Sequence, residues 1–144
     1  MRVERTVLVE HTAEQMCGLV DRIEDYPLFL PWCSSSALIS RTETETVGKL
    51  HLEYHGIKQH FTTRNDIVPG RRITLNLIEG PFKSLAGSWA FTPLGEHACK
   101  VSLNLEYQFS NIVLEKLIGP VFNRIMMQLI DAFVTRADVI YPHD

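Results

Sequence analysis

The chain has little of what most sequence arguments rest on. Its 144 residues include three cysteines, Cys17, Cys33 and Cys99, an odd number, widely spaced and without a CxxC pair. That spacing argues against a zinc site, a redox pair or a disulfide framework, and fits buried, reduced thiols. Neither sign of charge dominates. A formal net charge of −3 gives no general attraction to nucleic acid or acidic lipid, so DNA is not expected as a partner, although a local basic face is compatible with it. No uninterrupted apolar run approaches the ~20 residues of a membrane span. Residues 1–5 carry charges where a signal peptide needs an apolar core. These absences lead to the expectation of a cytoplasmic protein. A phosphate-binding glycine loop, a nucleophile elbow and an acid–base pair on an apolar face are also missing, which favours binding over covalent catalysis.

What is present is apolar surface in an unusual place. Hydrophobic content of 45% is ordinary and suits one domain over residues 1–144 with a real core. Residues 111–141, however, read as a helix apolar around most of its circumference, with Leu114, Leu117, Ile118, Val121, Phe122, Ile125, Met126, Leu129, Ile130 and Phe133 at steps of three and four. Only Arg124, Gln128, Asp131, Thr135 and Asp138 mark a polar sector. A surface helix needs a narrower stripe, so either the rest of the protein wraps this helix or the helix meets an apolar ligand. Gly119-Pro120 predicts a break or kink near its first turns.

Ahead of it, residues 3–10 predict a strand with Val3, Val7 and Val9 on one face. Thr12 and Gln15 predict a capping box opening a helix to about Ile23. The proline-bounded aromatic run 26–32 predicts a short helix or turn. Residues 35–110 alternate like antiparallel strands, with turns at 43–46, 56–59, Pro69-Gly70, 79–81 and 94–96. Folding about these turns sets Tyr54 opposite Phe61, Asn65 opposite Leu75, Ile73 opposite Trp89 and Trp89 opposite Val101. One face then collects Leu38, Leu50, Leu52, Tyr54, Phe61, Ile73, Leu75, Leu77, Leu85, Trp89, Phe91, Val101, Leu103, Leu105 and Tyr107. The other is polar, with His51, His55, His60, Glu53 and Arg64. The expected architecture is α+β: a bent antiparallel sheet of about six strands around the long C-terminal helix, with Gly48 and Gly87 easing the bend.

Two segments sharpen this. Residues 26–33, YPLFLPWC, and residues 80–91, GPFKSLAGSWAF, resemble the YPxFxPWC and GPFKxLxGxWxF segments of the RatA / coenzyme Q-binding family of START-like (polyketide cyclase/dehydrase-type) domains. Residues 61–65 and 132–137 resemble it too, so the likeness spans essentially the whole chain. The resemblance implies a helix-grip fold without covalent cofactor. It also implies one of two roles. In the first, an isoprenoid quinone such as ubiquinone is held in an apolar cavity in support of respiration, which would bring transient contact with the inner membrane. In the second, a RatA-type toxin binds the large ribosomal subunit and blocks subunit association.

Candidate ligand-binding residues follow from the dry face and the terminal helix: Leu52, Tyr54, Phe61, Thr63, Asn65, Leu75, Leu77, Leu85, Trp89, Leu103, Leu105, Phe122, Met126 and Leu129, with Phe29, Trp32 and Phe82 from the two motif segments. Thr63 and Asn65 are polar among apolar neighbours. A ligand carbonyl would satisfy them, and so would a bound water or a backbone group. The aromatic rings and methionines serve a cavity or ordinary core packing equally well. Phe82, placed in a turn, is expected at a cavity mouth or a membrane. For metal, His51, His55 and His60 lack a closing fourth ligand. For the ribosome, the candidate basic patch is Arg41, Lys49, Arg64, Arg71 and Arg72.

Overall fold

A computed structural model describes residues 1–142; the last two residues of the expected domain lie outside the described residues. In chain order the elements are β1 (Arg2–Val9), α1 (Ala13–Asp21), a 3-10 helix (Ile23–Leu28), β2 (Cys33–Arg41), β3 (Glu45–Tyr54), β4 (Ile57–Val68), β5 (Arg72–Glu79), β6 (Phe82–Pro93), β7 (Cys99–Phe109) and α2 (Ile112–Ile140). Seven strands, rather than about six, form one antiparallel sheet in the order β1-β7-β6-β5-β4-β3-β2. The sheet curves around α2, which is the helix-grip arrangement. The capping box forms as read: the Thr12 hydroxyl accepts from the Gln15 amide at 3.0 Å, and the Gln15 side chain accepts from the Thr12 amide at 2.9 Å, a motif worth about 1 kcal/mol.

The strand pairings separate what a turn decides from what periodicity decides. Asn65 pairs with Leu75 and Ile73 with Trp89, as expected. The β3–β4 turn instead sits on His55 and Gly56, whose φ values of 49° and 81° are both left-handed, the requirement of a two-residue hairpin turn. Tyr54 therefore pairs with Ile57, and Phe61 with Leu50. Similarly Trp89 pairs with Leu103 and Phe91 with Val101. Both registers differ from expectation by an even number of residues, so every side chain keeps its face. Gly87 is needed because the Asn104 carbonyl of β7 lies where its Cβ would stand. One residue of the dry face departs: Leu38, on edge strand β2 beside a bulge, is 39% exposed, since no further strand covers it.

α2 runs unbroken through Gly119 and Pro120. The expected break does not occur because Pro120 lies on the exposed side of the helix, where water can take the Lys116 carbonyl that loses its partner. The inward residues Ile118, Phe122, Ile125, Met126, Ile130, Phe133 and Ala137 are buried. Three polar ties set the helix in place. The Arg5 guanidinium donates to the Asp131 carboxylate and the Met127 carbonyl at 2.8 Å, Tyr107 donates to Asn123 at 3.1 Å, and buried His11 meets Asp138 at 2.7 Å. By length and composition alone α2 is apolar enough to cross a membrane, despite its charges; in this fold its inward face packs on the sheet.

Candidate functional site

Between the concave sheet and α2 lies an apolar cavity of about 70 Å³. β4 and β5 supply Phe61, Thr63, Asn65, Ile73 and Leu75; β6 and β7 supply Leu85, Trp89, Leu103 and Leu105; α2 supplies Phe122, Met126 and Leu129; and Trp32 closes one side. Val20, Ile23 and Tyr26 complete the lining from the α1 side, with Gly48, Leu50 and the β5 residue Ile73 from the sheet. These last six fell outside the sequence-derived set. Leu50 and Ile73 already stood on the dry face, and Val20 and Ile23 belong to the inward side of α1 and the turn after it. Gly48 gives no periodic signal at all. Its missing side chain is what admits Ile23, since a Cβ there would collide with Ile23 Cδ1.

Five candidates lie elsewhere. Leu52, fully buried, pairs with Cys33. Tyr54 ends β3, its ring 4.2 Å from that of His55. Leu77 lies opposite Thr63, half-buried. Phe29 packs edge-on against Tyr26 and Phe133 and carries the Arg136 guanidinium 5.3 Å above its ring. Phe82 is not at an exposed mouth: β6 begins with it, and it is only 7% exposed. Its ring stacks on Phe109 at 5.0 Å and touches Phe122 at 5.1 Å and Phe61 at 5.9 Å, which gives it an apolar environment inside the end of the grip.

The cavity has one polar spot. The Thr63 hydroxyl donates to Asn65 Oδ1 at 2.9 Å, and Asn65 is only 6% exposed. Among the described residues no hydrogen bond takes up the Asn65 amide protons. Tyr26 is, among the described residues, the one ionisable residue of the lining. It donates to the Val20 carbonyl, and burial pushes its phenol far above the ordinary range, so it stays neutral. The site can thus accept an apolar body with a hydrogen-bond acceptor, and among the described residues it presents no charged acid–base pair. Its volume is below the ~150 Å³ at which an apolar cavity takes a benzene-sized ligand, so a larger guest requires its lining to move.

On the outer surface the candidate basic patch is largely neutralised. Arg41 forks onto Glu24 at 2.7 and 2.9 Å and reaches Asp21, Arg71 meets Glu14 at 3.3 Å, and Arg64 meets Asp66 at 3.6 Å. Lys49 and Arg72 carry no ion pair among the described residues. Glu53 pairs with Lys58, its cross-strand neighbour across the tight β3–β4 turn. The same turn removes His55 from the sheet and sets His51 against His60 at 5.6 Å. Among the described residues no group of three His, Cys, Asp or Glu side chains is arranged to hold a metal.

Comparison with known proteins agrees with this geometry. Residues 9–134 match the family described as polyketide cyclase / dehydrase and lipid transport. The ribosome association toxin RatA of Vibrio cholerae is 43% identical over 140 residues, covering 97% of each chain. The mitochondrial coenzyme Q-binding protein COQ10 homolog B of Xenopus laevis is 24% identical over 89% of this chain and 54% of its own. Among solved structures, the Zhui aromatase/cyclase from Streptomyces sp. R1128 superposes with a TM-score of 0.84 at 18% identity, over 96% of this chain and 93% of that one; this likeness concerns the fold alone. The chain belongs to the polyketide cyclase / dehydrase and lipid transport family, and within it is a relative of the RatA proteins.

Proposed function

We propose that this protein is a non-catalytic, RatA-type ribosome association factor that engages the large ribosomal subunit. The observation that carries this reading is the 43% identity to a ribosome association toxin from end to end of both chains. The uncharged lining of the cavity supports a binding role rather than an enzymatic one, since among the described residues no ionised side chain of the lining stands ready to move a proton. With Arg41, Arg64 and Arg71 held by carboxylates, contact with ribosomal RNA falls to unpaired cations such as Lys49 and Arg72. Sedimentation of ribosomes with the purified protein tests this. A shift of intact ribosomes toward free subunits is expected, weakening as salt rises. Unchanged ribosome profiles at saturating protein, with no protein in the large-subunit fraction, would refute it.

A second reading is favoured by the cavity. The Thr63–Asn65 pair in an otherwise apolar lining suits the carbonyl of a lipophilic ligand such as an isoprenoid quinone, with its tail along Phe122, Met126 and Leu129. A ligand of that size would have to widen the 70 Å³ cavity, so binding is expected to be slow and to raise the unfolding temperature. Mass spectrometry of extracted lipids, together with titration of ubiquinone, tests it. Repeated extracts without quinone, and no saturable binding of added ubiquinone, would overturn it. The two roles use different surfaces and are compatible.

A further inference from the structure

The outward face of α2 changes character along its length. Between Gln128 and Asp138 its exposed positions Gln128, Asp131, Thr135 and Asp138 are polar, and Val139 and Ile140 are exposed at its far end. Before Gln128 it is apolar: Ile112 is 65%, Val113 62% and Leu117 63% exposed, and Pro120 and Met127 also face solvent. At ~100° per residue these positions span an arc of roughly 140° on one side of the helix. Burial in the grip does not account for them, because Ile118, Phe122 and Met126 of the same turns occupy the inward side.

Two further observations say what covers this face. Lys116 and Arg124 lie within the same arc, and Lys83 follows Phe82 at the start of β6; all three are exposed and carry no ion pair among the described residues. The Ser110 amide donates to the Pro81 carbonyl at 3.0 Å, which ties the β5–β6 turn, and with it the Lys83 end of β6, to the residue before the Asn111 cap of α2; Glu79 and Glu115 are the exposed acids at this end. Apolar side chains flanked by free cations on a helix lying along the surface match an anionic bilayer, whose acyl boundary takes the former and whose phosphates take the latter. A buried aromatic cluster lies between this end of α2 and the cavity. Phe109, two residues before the Asn111 cap of α2, stacks on Phe82, which touches Phe61 and Phe122, and both of these line the cavity.

We infer that the first four turns of α2, with the β5–β6 turn beside them, form a docking surface for an anionic lipid bilayer. The helix lies in the plane of the headgroups with Ile112, Val113 and Leu117 inserted and Lys83, Lys116 and Arg124 against phosphates. Docking itself requires no bound ligand. It sets the buried Phe82–Phe109–Phe122 cluster beneath the membrane boundary, and a lipophilic molecule would have to displace these rings to reach the cavity if the quinone reading holds.

Flotation with phosphatidylcholine vesicles, with and without phosphatidylglycerol, tests the docking apart from ligand uptake. The protein is expected to float with the anionic vesicles and less with neutral ones, and added salt is expected to weaken it. Val113→Glu/Leu117→Glu, on exposed positions, should lower partitioning by at least about tenfold, and Lys83→Glu/Lys116→Glu should abolish the preference for phosphatidylglycerol. Absence of flotation with either vesicle would overturn the proposal. So would wild-type flotation by the Val113→Glu/Leu117→Glu variant. A concentration-dependent dimer dispersed by that variant, with no vesicle binding, would assign the face to a second copy instead. Quinone titration on the same variants separates this outcome from failure of the ligand reading, because a docking variant retains binding of detergent-solubilised quinone.

Discussion

The Thr63–Asn65 pair offers the sharpest test of whether the cavity is a site or only a packing gap. Thr63 donates to Asn65 across 2.9 Å, Asn65 is 6% exposed, and their strand neighbours are Leu77 and Leu75. Thr63→Val removes the donor and leaves the Asn65 amide in apolar surroundings. An unsatisfied buried polar group costs about 1–3 kcal/mol. The adjacent 70 Å³ cavity has room for a water, which places the cost near 1 kcal/mol. Asn65→Leu strands only the half-buried Thr63 hydroxyl, at under ~1 kcal/mol. Replacing both removes every unsatisfied group and adds apolar contact, so the double variant is expected to match or exceed wild-type stability, with a coupling of roughly 1–2 kcal/mol between the sites. Urea unfolding of the four proteins, at constant m-value, measures this. The same double variant should lose quinone binding if the pair receives a carbonyl. A double variant destabilised by the sum of the singles would refute the reasoning and make the pair a structural element of β4.

Other expectations follow from the packing and the charges. Burial pushes the Cys33 and Cys99 thiols up to about 11 and raises Cys17 as well; a thiol reagent at mildly alkaline pH should therefore label the folded protein far more slowly than the urea-unfolded one. The Arg41 fork lowers the Glu24 pKa below its unfolded value, so its contribution is present above the ordinary carboxylate range and lost as pH falls through the folded value. Arg41→Gln should cost under about 1 kcal/mol at neutral pH, the pair being partly exposed, and less once Glu24 is protonated, when the Arg41 bond to the Asp21 carbonyl at 2.8 Å remains; equal losses at both pH values in urea titrations would contradict this. Phe122→Ala removes a 2% exposed ring that meets Phe61, Phe82, Tyr107 and Phe109, and should cost about 3–5 kcal/mol by chemical denaturation. Pro120→Ala restores an amide to the interior of α2 at an exposed position and should raise the unfolding temperature, whereas a fall would mean that the proline is accommodated without cost.

Alternation of two along the strands and recurrence at three and four along α2 were sufficient to place the dry face of the sheet against the last helix. The assignment survives the errors in register: Tyr54 pairs with Ile57 and not Phe61, yet an even slip leaves each residue on its face, because side-chain direction repeats every second residue whatever the turn does. The family segments at 26–33 and 80–91 are likewise local and could be read directly. What depended on the tertiary structure is set by distances that no periodicity encodes. Phe82 is buried because the β5–β6 turn folds onto Phe109 and Phe122. The arginines lose their availability because Glu24, Glu14 and Asp66 come within ion-pair reach. Gly48 lines the cavity because Ile23 fills the space its side chain would need. The exposed apolar start of α2 could not be told from its buried side by composition, since both are apolar there. Only the direction from which the sheet grips the helix decides which side is left to meet something else.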